Sequence, residues 1–234
     1  RIMNDSKSHP NRVARHISEL PRSGIRDFFE LVNNVEGVVS LGIGEPDFVT
    51  PWHIREATIY ALDKGHTSYT SNLGMLSLRQ ACCRYVADNF GVDYAPETEC
   101  IITVGVSEAL DILLRAILNP GDEVIYHEPC YVSYAPTIRM THATPVPVVT
   151  KAENGFAVTA SEIEAKITTK TKAILLNYPN NPTGGNLGLE DKEAIARVAV
   201  EHDLIVVTDE IYSELTYGER SPTIASLPGM RERT

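Results

Sequence analysis

The sequence predicts an α/β fold, a mainly parallel sheet with helices on both faces. Three observations carry that expectation. Short runs rich in Val and Ile recur from residue 100 onward, helical patterns separate most of them, and the runs lack the polar–apolar alternation of a strand wetted on one side. Apolar runs of this kind mark strands covered on both faces, and such sheets place their binding loops beyond the strands' carboxyl ends.

In chain order, the N-terminal stretch reads as an arm with a helix at "GIRDFFELVNNV". A helix in "HIREATIYALDKG" begins after Thr50-Pro51, and a second, "LSLRQACCRYVADNFG", stops at Gly91, as helices often do. The first expected strand is "CIITV" (100–104); Gly105 then permits a tight turn, and Ser107 opens a helix over 107–118 as its cap, with Glu108 and Asp111 at the positive end. Strands at 123–127, 144–149, 172–177 and 204–209 follow, with helices at 131–140, 161–166 and 190–201 between them. No internal repeat or low-complexity linker interrupts the pattern.

Composition narrows the function. The 234 residues are 43% hydrophobic and 22% charged, an ordinary globular balance, and a net charge of -10 with a pI near 5.2 argues against gripping nucleic acid through phosphates. No apolar stretch approaches the roughly 20 residues of a membrane span, and the N-terminus has no apolar signal core, so a cytoplasmic protein without a membrane partner is expected. Four cysteines without a CxxC spacing and seven histidines without HExxH give no disulfide framework and no metal site. His53, His66 and His127 read as ordinary surface or core residues.

Several stretches invite chemistry. In "TVGVSEALDILLRAIL" the helix start needs no function as a capped terminus, yet the same geometry aims backbone N–H groups and a hydroxyl at a phosphate. "GVSEA" imitates a serine-hydrolase elbow, but Ala109 replaces the final glycine, and no histidine follows His202 to complete a triad with Asp209 as its acid. "LGIGEPDF" imitates a dinucleotide fingerprint, but the third glycine is missing and Pro46 stands where the helix should begin. In "VVTDEIYSELTY", Asp209 ends a buried strand; it either caps the next turn or, with Tyr212, engages a heteroaromatic nitrogen and a neighbouring phenolate oxygen. Those two groups occur together on pyridoxal phosphate. "YPNNPTGG" (178–185) is ornate for a connection, with two prolines, two asparagines and two glycines.

Together, "LGIGEPDFVTP", "SYTSNLGMLSLR", "TVGVSEAL", "PGDEVIYHEPCYVSY", "NYPNNPTGG" and "DEIYSELTY" resemble, in order and spacing, the fold-type-I pyridoxal-phosphate-dependent aminotransferases of the aspartate and aromatic class. The resemblance implies an incomplete large cofactor-binding domain over 46–234, preceded by an arm and small-domain segment over 1–45. It implies ping-pong exchange of an amino group between an α-amino acid and a 2-oxo acid. Gly105, Val106 and Ser107 match the phosphate-binding turn, and Tyr131 the aromatic stacked on the pyridine ring, a contact worth ~0.5–1.5 kcal/mol beyond burial. Asn181 and Tyr212 match the two donors to the cofactor's O3′, which stabilise its anion, and Asp209 the carboxylate that keeps the ring nitrogen protonated. Asp209 and Tyr212 are the catalytic residues so implied. Gly44 corresponds to a backbone position beside the substrate carboxylate. Tyr69 corresponds to a tyrosine reaching the neighbouring subunit's cofactor phosphate, which implies a homodimer with shared active sites. Tyr134 reads as packing, and Asn177 and Asn180 as satisfying local backbone.

The family's Schiff-base lysine, expected in a Ser-x-x-Lys stretch after "DEIY", is not in this chain, and none of its seven lysines substitutes. Lys166, Lys170, Lys172 and Lys192 read as solvated. The chain alone is therefore expected to be inactive. A carbon–sulfur β-lyase on the same cofactor, or a non-catalytic fragment, are the alternatives at this point.

Overall fold

The computed structural model describes residues 12–21, 48–218 and 220–234, so the expected helix at "GIRDFFELVNNV" and Gly44 lie outside the described residues. The described residues fall into two compact units, one of Pro21 with 48–75, the other of 12–20 with 76–234. The larger unit begins with a short helix, α1 (Arg15–Ser18). The smaller unit carries α2 (Trp52–Asp63), which starts directly after Pro51 and buries none of its residues. Trp52, Ile59, Tyr60 and Leu62 are all more than half exposed.

In the larger unit α3 (Leu76–Phe90) ends at Gly91, whose φ of 69° is the left-handed turn expected there. Then come α4 (Gly105–Ile117), β1 (Glu123–Glu128), α5 (Tyr134–Met140), β2 (Thr144–Val149), α6 (Ala160–Glu164), β3 (Thr171–Asn177), α7 (Leu189–Glu201) and β4 (Ile205–Asp209). The four strands form one sheet in the order β2-β1-β3-β4, and every pairing is parallel.

Strand alternation sorts side chains onto two cores. Val124, Tyr126, Ala173, Leu175 and Val207 face one way, against Leu110 and Leu114 of α4 and Tyr134 and Ile138 of α5. Ile125, Ile174, Leu176 and Val206 face the other, against Ile195 and Ala199 of α7. Both faces are thus covered by helix, which is why β1 and β3 read as unbroken apolar runs. No helix among the described residues is long and apolar enough to cross a membrane.

Three expectations need correction. Residues 100–104 form no strand, because they exchange no ladder hydrogen bonds among the described residues and a β-prone run without a partner has no sheet to join. The helix expected over 131–140 begins only at Tyr134, leaving Tyr131 in the preceding turn. Lys192, read as solvated, is 4% exposed. Its Nζ donates to Ser221 Oγ (2.8 Å) and to the Pro222 carbonyl (2.6 Å), pinning α7 to the segment ahead of the C-terminal turns. Burial lowers its pKa, against the milder raising effect of Glu210.

Candidate active site

The strand order reverses direction at β1, with β2 on one side and β3 on the other. Such a switch point opens a crevice beyond the strands' carboxyl ends. There the chain forms a hollow of about 230 Å³. Val106, Ser107, Tyr131, Asn181, Asp209 and Tyr212 line it, so six positions singled out in the sequence meet in one place. Leu110, Tyr134, Asn177 and Ile211 complete the lining. Tyr69 belongs to the smaller unit, where its side chain is fully exposed.

One wall is the N-terminus of α4. Gly105 is its first residue, at φ 72°, a conformation that disfavours any side chain. The N-cap is Val104 rather than Ser107, and its backbone N–H is taken by the Glu108 carboxylate. Ser107, expected as the cap, sits inside the first turn and presents to the hollow instead. The first-turn N–H groups have no intrahelical acceptors, and the helix dipole adds about half a positive charge there.

The floor is Asp209, the last residue of β4. Its Oδ2 accepts from the Tyr134 hydroxyl at 2.7 Å, and its Oδ1 from the Ile211 N–H at 3.2 Å. Tyr134 is therefore more than packing: it is 1% exposed and still reaches the carboxylate. Burial, then the Asp209 charge, raises its pKa, so the phenol keeps the proton it donates. The ring of Tyr131 meets that of Tyr134 edge-on, with centroids 5.8 Å apart.

The far wall is the ornate loop. Asn180 braces it, donating to the Pro129 carbonyl (3.2 Å) and accepting from Thr183 N–H (3.0 Å). Asn181 Nδ2 donates to Tyr212 Oη at 3.2 Å, so the amide and the phenol converge on one spot. Asn177 does more than satisfy local backbone: its Oδ1 accepts from Asn181 N–H (3.0 Å), and its Nδ2 donates to the Asp209 carbonyl (3.0 Å). Cys130 lies near this wall, but burial, then the charge of Glu128, pushes its thiol up to about 12, so it supplies no thiolate nucleophile. Among the described residues no cluster of His, Cys, Asp and Glu is built to hold a metal.

Residues 36–233 match the family model "Aminotransferase class I and II". The chain is 52% identical over 222 residues to YugH of Bacillus subtilis (strain 168), whose name marks its aminotransferase activity as unconfirmed; the match covers 95% of this chain and 58% of that protein. It is 46% identical to the aromatic-amino-acid aminotransferase 2 of Thermococcus litoralis, over 91% of this chain and 55% of that protein. Among solved structures, the aromatic aminotransferase from Pyrococcus horikoshii OT3 superposes with a TM-score of 0.83 at 44% identity, covering 89% of this chain and 56% of that one. The aspartate aminotransferase from Thermus thermophilus with maleate gives 0.86 at 39% identity, over 91% and 56%. The chain thus spans little more than half the length of the proteins it matches.

Proposed function

The chain belongs to the aminotransferase class I and II family, and from that premise we propose that its hollow binds pyridoxal phosphate and serves transfer of an amino group between an α-amino acid and a 2-oxo acid. The observation that carries the reading is that one small cavity is lined by two unlike groups. A helix N-terminus suited to a dianion and a carboxylate suited to a protonated ring nitrogen share the hollow with an amide and a phenol that contact each other. That donor set fits this cofactor, whose phosphate, ring nitrogen and phenolic oxygen need those three partners.

In the proposed roles the Gly105–Ser107 turn binds the phosphate and fixes the ring's register. Tyr131 offers an aromatic face to the ring, and Asp209 holds a proton on the ring nitrogen, its own charge steadied by Tyr134. Asn181 and Tyr212 donate toward the phenolic oxygen. When bound, the cofactor supplies an electron sink that stabilises negative charge at the substrate's α-carbon. None of these 234 residues matches the family's lysine that moves the proton there, so turnover is proposed for the full-length protein.

Two further roles rest on the resemblance and on exposure. Tyr69 is proposed to reach the cofactor phosphate of a second copy, and Gly44 to lie beside the substrate carboxylate. The homodimer rests on the resemblance alone, and the apolar side chains that α2 leaves exposed, Trp52, Ile59, Tyr60 and Leu62, offer a surface that a second copy or the rest of the full-length chain would cover. The relatives' names point to aromatic or dicarboxylic amino acids as donors.

The test is an absorbance titration of full-length protein with pyridoxal phosphate, followed by an amino acid and then a 2-oxo acid. A visible band that bleaches with the first and returns with the second supports transamination. Release of pyruvate and ammonia from a cysteine-type substrate without any 2-oxo acid would overturn it in favour of elimination.

A further inference from the structure

Three neighbouring strands end in a hydrogen-bonded row. His127 on β1, Asn177 on β3 and Asp209 on β4 stand side by side at the carboxyl edge of the sheet. The Asn177 N–H donates to His127 Nε2 at 3.1 Å, which fixes the backbone that carries the amide. Both ends of that amide are then engaged. Nδ2 holds the Asp209 carbonyl, 32 residues away in the chain, and Oδ1 holds the N–H of Asn181. Asn177 is 1% exposed, and His127 2%, so water is not at hand to replace either bond.

The choice of partners is the informative part. Asn180, in the same loop, is also buried, but its amide is tied to Pro129 and Thr183 and makes no bond to β4. Asn177 alone of the two joins the backbone of the residue that supplies the floor to the backbone of the residue that supplies the far wall. A side-chain amide spans only a few ångström and is planar, so it fixes both the distance and the angle between what it ties.

We propose that Asn177 is a positioning residue of this site, which sets the gap between the Asn181 amide and the Asp209 carboxylate, with His127 as the strut that holds Asn177 in place. The proposal rests on the reading of the hollow as a pyridoxal-phosphate site. Asn177 acts through Asn181 and Asp209, and its removal loosens both walls at once while leaving the pocket's own donors in the sequence.

The experiment is a double-mutant cycle in the full-length protein, with Asn177→Ala and Asn181→Ala singly and together, reading the dissociation constant for pyridoxal phosphate beside the melting temperature of the cofactor-free protein. Each single change is expected to weaken binding about tenfold, and the pair to weaken it little more than one of them, because residues acting as one unit do not add. Fully additive penalties, or an Asn177→Ala protein with wild-type affinity, would overturn the proposal. Should Asn177→Ala fail to fold, Asn177→Asp keeps an acceptor for Asn181 and turns the donor to the Asp209 carbonyl into an opposing buried acceptor; it should weaken binding at least as much, and unchanged affinity counts against the role. A crystal structure of the cofactor-free variant gives a second readout. Asn181 Nδ2 should leave its 3.2 Å contact with Tyr212, and an unmoved amide would contradict the proposal even if the wild-type protein bound no pyridoxal phosphate, an outcome that would by itself sink the functional reading instead.

Discussion

The Tyr134 hydroxyl donates to Asp209 Oδ2 over 2.7 Å, from a helix after β1 to the end of β4, although 75 residues separate the two in the chain. A buried phenol aimed at a carboxylate holds that carboxylate in one orientation. Tyr134→Phe retains the ring that fills the core and removes only the donor. A hydrogen bond to a charged group contributes about 1.5–3 kcal/mol to stability, so the cofactor-free protein should melt lower by about that much, and cofactor affinity should fall as well because Asp209 is no longer held in place. Titration of the variant with pyridoxal phosphate checks it.

Asp209→Ala removes the floor itself. Turnover by the full-length enzyme should be abolished while circular dichroism stays near wild type, and melting should fall by the equivalent of about 1–3 kcal/mol because the buried Tyr134 hydroxyl loses its acceptor. A near-normal rate would remove Asp209 from the chemistry.

Gly105→Ala tests the phosphate wall. Nothing stands within 4 Å of the added Cβ, so its penalty comes from the backbone at φ 72° alone. About 1–2 kcal/mol of stability should be lost, and affinity for the cofactor should fall as the first turn of α4 shifts. Denaturant unfolding and titration measure the two effects separately.

The buried imidazole of His127 gives a pH dependence with a definite sign. Its Nε2 accepts a proton's worth of hydrogen bonding from Asn177, and burial lowers its pKa from 6.5 to about 4. Neutral His127 thus belongs to the folded state. Its contribution is whole above pH 6.5 and drains away as pH falls from there through about 4. The difference amounts to about 3 kcal/mol at most. Urea unfolding from pH 7 to pH 4 should show the wild-type protein losing stability faster than His127→Gln, and parallel curves would contradict the assignment.

Lys192→Ala should destabilise the protein by about 2–4 kcal/mol, because it opens a cavity and leaves the Pro222 carbonyl without its charged donor. Cofactor affinity should hardly change, as Lys192 is not among the residues of the hollow. Urea unfolding decides between this and the solvated role its sequence suggests.

The parts of the site that were legible in the sequence sit where one element ends and another begins. Ser107, Asn181, Asp209 and Tyr212 each lie beside a Gly, Pro or strand-end signal, which by itself marks only a turn or a cap; the resemblance to the aminotransferase motifs is what singles them out as site residues. Tyr134 and Asn177 were missed as site residues because their partners are remote: a buried tyrosine looks the same in sequence whether or not its hydroxyl finds a carboxylate. Lys192 was misread because "EDKE" reports the polarity of its neighbours, whereas its burial is decided by Ser221 and Pro222 arriving from some 29 residues downstream. The run at 100–104 has the composition of a strand, and composition carries no information about whether an edge is there to pair with.

One small pyridine-bearing phosphate should fit in the hollow lined by the N-terminus of α4 and Asp209. A crystal structure of the full-length protein with pyridoxal phosphate decides whether it does. The phosphate should lie on the N–H groups of Gly105–Ser107, with the ring nitrogen within hydrogen-bonding reach of Asp209. A phosphate held elsewhere, or a ring whose nitrogen points away from that carboxylate, would contradict it.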